Sequence, residues 1–163
     1  MRNTLIVGGV AVAAIVIGVL VFLRGGDSFS NASASPATVV SFTQLARGSH
    51  SKVTMRVNYL ITSSDQLNEL WKMVDATSTP PKIDFKKEAV IAVFAGEQPT
   101  AGYAISVAKV EDTSARIVSI TLAKPDGRCM TGQVLTTPYE LVTLPATSLP
   151  LAHEDISTTT SCL

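Results

Sequence analysis

The chain is short of what enzymes draw on. Its 163 residues hold two histidines, two cysteines and one tryptophan, and aromatic residues make up 6%. His50 and His153 stand in separate polar stretches, with no serine elbow, zinc-binding spacing or neighbouring carboxylate, so both read as solvated surface residues. Charge of one sign is also missing. The 13 lysines and arginines balance 13 aspartates and glutamates, and a net charge of zero provides no long-range field to attract nucleic acid. Glycine pairs occur only at Gly8, Gly9 and at Gly25, Gly26, inside or just past an apolar run. No glycine-rich loop therefore follows a strand and opens a helix as phosphate binding requires. Asp84 and Asp126 are isolated carboxylates accounted for by turn chemistry. These absences predict a protein that is not an enzyme and takes no metal and no cofactor.

Apolar residues, by contrast, are plentiful at 46% against 16% charged, and they concentrate at the start. Residues 4–23 are twenty in a row without a charge, enough at helical rise to span roughly 30 Å of hydrocarbon. They predict a transmembrane signal-anchor helix. A cleaved signal peptide would have a shorter apolar core with a small-residue site close behind, whereas the nearest such pattern, Ala32, Ser33, Ala34, lies well beyond Arg24. No cysteine follows the run, which excludes a lipid anchor. The short N-terminal tail with Arg2 predicts a single-pass protein of the cell membrane with its C-terminal part outside the cytoplasm. Gly9 with Ala13, and Ala14 with Gly18, have small-residue spacings that would let two such helices approach, although apolar spans contain these by chance.

Residues 24–38, rich in Gly, Ser and Ala, read as a flexible linker to a domain over 39–149. Val53, Met55, Val57, Tyr59 and Ile61 alternate with polar residues as in a half-buried strand. Ser63 stands three residues before Gln66 in a capping-box spacing, ahead of Leu67, Leu70, Trp71 and Val74 at helical spacing. Residues 89–95, AVIAVFA, form an unbroken apolar run expected of a strand covered on both faces. Alternation at Tyr103, Ile105, Val107, then at Val118, Ile120, Leu122, and again over 139–144 predicts further antiparallel strands, the last placed at an edge or bulge by Pro138. The predicted class is α+β: after the transmembrane helix, a small, mostly antiparallel β-sheet domain with one amphipathic helix. The tail, 150–163, has little to pack and is expected to be mobile unless tied down. Cys129 and Cys162 either form one bridge that pins this tail to the sheet or remain two thiols.

The loop 96–103, GEQPTAGY, joins the most apolar strand to the next one. Pro99 and Gly102 would make its turn and Tyr103 would begin the strand; the alternative is a rigid surface that contacts a partner. Gln98, Pro99, Thr100, Gly102 and Tyr103, with Pro138 and Tyr139, are the candidate partner-binding residues.

Leu67, Leu70 and Trp71 on the helix, then Ile83, Asp84, Phe85 ahead of AVIAVFAGEQPTAGYAI, and finally Val134 and Thr136 through Val142, resemble the C-terminal domain of the protease complex subunit PrcB. The likeness spans about residues 53–145. It implies a bacterial cell-envelope protein acting as a binding module without catalytic residues, whose partner is another envelope or secreted protein such as a protease that it stabilises or regulates. A fainter likeness joins 98–103 to the first inhibitory loop of chagasin-type cysteine protease inhibitors, which implies inhibition as an alternative. A structural envelope protein clustering through its membrane helix is another alternative, and an envelope hydrolase using His50 or His153 is a further one.

Overall fold

The structure, a computed structural model, describes residues 36–74 and 78–161. Eight strands and one helix follow in the order β1 (Thr38–Val39), β2 (Thr43–Gly48), β3 (Val57–Ile61), α1 (Ser64–Trp71), β4 (Glu88–Phe94), β5 (Ala104–Asp112), β6 (Arg116–Pro125), β7 (Tyr139–Pro145) and β8 (Leu151–Thr160). They form two four-stranded sheets: a central one ordered β2-β7-β4-β3, and an outer one ordered β1-β5-β6-β8.

The apolar run at 89–95 explains why there are two sheets. Because side chains alternate along a strand, β4 sends Val90, Ala92 and Phe94 to one face and Ile91 and Val93 to the other. The first set packs with Leu67, Leu70 and Trp71 of α1 and with Tyr139 and Leu141 of β7. The second packs with Ile105, Val107 and Val110 of β5 and Val118 and Ile120 of β6. The layers are therefore helix, central sheet, outer sheet. The helix starts where the capping signal placed it: the Ser63 side chain accepts from the Gln66 backbone N–H at 3.3 Å, and Gln66 Oε1 accepts from the Thr62 N–H at 2.9 Å.

Two charged groups are buried between the layers. Glu140, on β7, is 4% exposed, and its Oε2 accepts the backbone N–H of Val107 at 2.6 Å, beside the bulge in β5 between Val107 and Lys109. Burial pushes the Glu140 carboxyl up from its ordinary value, against the smaller opposing pulls of the Val107 N–H and the Arg47 charge. Arg116, also 4% exposed, grips Asp112 with two hydrogen bonds of 2.7 Å and donates to the Pro145 carbonyl. The Arg116 bonds hold the Asp112 carboxyl below its usual range.

The expected α+β class is overturned. The domain is β-rich, with one helix of eight residues that covers part of a single face, and it has two sheets rather than one. Burial of β4 on both faces demands a second layer of strands, because the helix is too short to be that layer. The predicted transmembrane helix, 4–23, lies outside the described residues, as does most of the predicted linker. Among the described residues no helix is long and apolar enough to cross a membrane. The strand predicted from Val53 begins only at Val57, and Met55 is exposed. Pro138 does not mark an edge: it precedes β7, which lies between β2 and β4. The tail is tied down: Leu151–Thr160 form β8, which runs parallel to β6 over ten residue pairs.

Candidate functional site

The loop leaving β4 is fixed at both ends by glycines that no other residue replaces easily. Gly96 has φ +76°, and a Cβ on it would come within 2.9 Å of the Arg56 backbone nitrogen; Gly102 has φ +92°. Between them, Gln98 and Thr136 exchange backbone hydrogen bonds, with Gln98 N to Thr136 O at 2.7 Å and Thr136 N to Gln98 O at 3.0 Å. Ala101 N donates to Gly132 O at 2.9 Å, and Thr136 Oγ1 to Thr100 O at 3.1 Å. The loop 96–103 is thus laced to the segment before β7. That segment is itself tied to residues 49–51, because Thr137 N donates to Ser49 O at 2.8 Å and Thr137 Oγ1 to Ser51 O at 2.7 Å.

Of the candidate residues, Gln98, Pro99, Thr100 and Gly102 share this paired-loop structure, and Pro99 and Gly102 are exposed. Gln98 and Thr100 are half-buried, and the Gln98 amide donates to Ala95 O at 3.1 Å. Tyr103 is half-buried at the start of β5. Pro138 and Tyr139 do not reach the surface. Tyr139 is 2% exposed, its ring stacked on Phe94 with centroids 6.1 Å apart, so it is a core residue and not a docking anchor. The apolar side chains that do face solvent here come from the partner segment: Met130 is fully exposed, Val134 is 51% and Leu135 59% exposed. A depression of about 490 Å³ at Met130 is lined also by Gly102, Pro125, Arg128 and Thr131. Their sequence signal was an apolar pair, Val134 and Leu135, outside any alternating run, which a loop has no structural reason to carry. Cys129, next to Met130, is disulfide-bonded; the chain's other cysteine, Cys162, lies outside the described residues.

Residues 89–145 match the family model described as PrcB C-terminal. The PrcB C-terminal match runs from β4 to β7 and contains both of the paired loops. It starts after β3 and α1, so the likeness read from residue 53 is shown for its larger, later part. No curated protein and no solved structure matches the chain.

Proposed function

We propose that this domain is a non-catalytic docking module of a protease complex, placed outside the cytoplasm, and that it contacts its partner through the paired loops 96–103 and 130–137. The observation that carries this reading is the coincidence of the matched family segment with a rigid loop pair exposing Met130, Val134 and Leu135. Apolar side chains held rigidly at the surface lose little conformational freedom on association and supply the burial that drives it. The disulfide at Cys129 supports an oxidising compartment.

The test is a Met130→Asp, Leu135→Asp double variant of the full chain, compared with wild type after crosslinking in native cells. Both positions are exposed, so the thermal transition should stay within a few degrees. The protease recovered with the chain should fall at least tenfold, whereas equal recovery would sink the reading. The recovered complex also decides its sense: a protease that survives longer with the module is stabilised, and one that turns over substrate more slowly is inhibited.

A further inference from the structure

Each sheet has two edges, and β8 is the longest of the four edge strands. β1 has two residues, β2 carries a bulge between Gln44 and Ala46, and β3 has five residues. β8 is different. It runs ten residues opposite β6 without a register shift, contains no proline, lysine or arginine, and is exposed at every position, Leu151 at 44% and Ile156 at 43% included. Among the described residues no strand lies on its other side. At the ends of the ladder Arg116 N donates to Pro150 O and Asp126 N to Thr160 O. Even-numbered residues of β8 therefore address β6, and residues 151, 153, 155, 157 and 159 turn their N–H and C=O groups outward.

We propose that a second copy of this chain pairs antiparallel with β8 across a two-fold axis at Ile156, joining two outer sheets into one. Continuity of the sheet faces across such an axis allows only registers in which odd residues meet odd and even meet even. The register centred on His153 sets the two imidazoles opposite each other, and those centred on Glu154 or Asp155 oppose like carboxylates. The register centred on Ile156 avoids all of these while using nearly the whole strand. It sets Ile156 against its own copy, Asp155 against Ser157, Glu154 against Thr158 and His153 against Thr159, so each carboxylate faces a hydroxyl. Residues 153, 155, 157 and 159 then supply the inter-chain hydrogen bonds.

Sedimentation equilibrium of the full chain tests this, with Ile156→Lys, which sets two cations face to face, and Ser157→Pro, which deletes one outward N–H without touching the β6 ladder. Wild type should sediment at twice the 17.2 kDa chain mass and both variants at the single mass, with thermal transitions within a few degrees of wild type. A wild type that stays at the single mass at several hundred micromolar overturns the proposal. So does a larger mass that both variants retain, which would place the association elsewhere, such as in the apolar N-terminal run. Register has its own readout. Under mild oxidation Ile156→Cys should form a disulfide-linked dimer at least tenfold faster than Ala152→Cys, and equal rates would overturn the assignment to this axis.

Discussion

Glu140 and Asp112 bend the stability of this domain in opposite directions with pH. Burial raises the Glu140 pKa in the folded chain only, so the native state holds that proton more tightly than the unfolded one. Its stability contribution is complete below the ordinary carboxylate pKa and is lost as pH rises through the raised value. Glu140→Gln keeps an acceptor for the Val107 N–H and removes the ionisation. The melting temperature of this variant relative to wild type should therefore climb as pH rises from the ordinary carboxylate pKa through the raised one, and a flat difference would contradict the burial argument. Asp112 is lowered by Arg116, so its contribution is present above the ordinary pKa and is lost as pH falls. Asp112→Asn should cost most near neutrality and least in acid, as read from the same melts. At Gly96 the constraint is steric: Gly96→Ala must accommodate a Cβ at 2.9 Å from backbone in a positive-φ conformation, which should cost roughly 1–3 kcal/mol in urea unfolding. Residues of this kind were only partly legible in sequence. Gly102 and Pro99 announced a turn, but nothing local to Tyr139 distinguishes an exposed aromatic from one stacked on Phe94. That difference comes from a strand pairing more than forty residues away, Phe94 against Tyr139.

At the scale of elements, local signals succeeded wherever one short segment decides its own structure. The capping spacing at Ser63 and Gln66 and the helical spacing of Leu67, Leu70 and Trp71 placed α1, and Ser63→Ala should destabilise the domain by about 1 kcal/mol in thermal or urea melts. The unbroken apolar run placed β4 as a strand covered twice. What failed was anything that depends on a partner strand. Met55 continues the alternation of β3, yet the ladder with β4 stops at Val57 opposite Phe94, where Gly96 turns the chain away. Serine and threonine residues at 157–160 have no apolar period, yet they form β8 because β6 offers them a backbone ladder and not because their side chains are buried.

At the scale of the whole molecule, one side chain clasps the two sheets where their edges part. Arg56 stands just ahead of β3, reaches Asp155 of β8 at 2.6 and 3.1 Å, and donates to the Phe94 carbonyl at 3.1 Å. Arg56→Ala should speed hydrogen exchange of the β8 amides that bond β6 several-fold and leave those of β4 unchanged. Because the pair is partly exposed, added salt should shrink the difference. The two-sided burial of β4 has a further consequence for the chain as it is made. The strand EAVIAVF carries a single charge, and its neighbour β7 lies far downstream. At ordinary rates of synthesis several seconds separate the emergence of the two. Throughout that interval β4 keeps one bare edge, and its face toward the outer sheet stays bare until β5 and β6 have followed. A nascent chain stalled between β4 and β7 is thus the form of this protein most prone to aggregate and most in need of a chaperone.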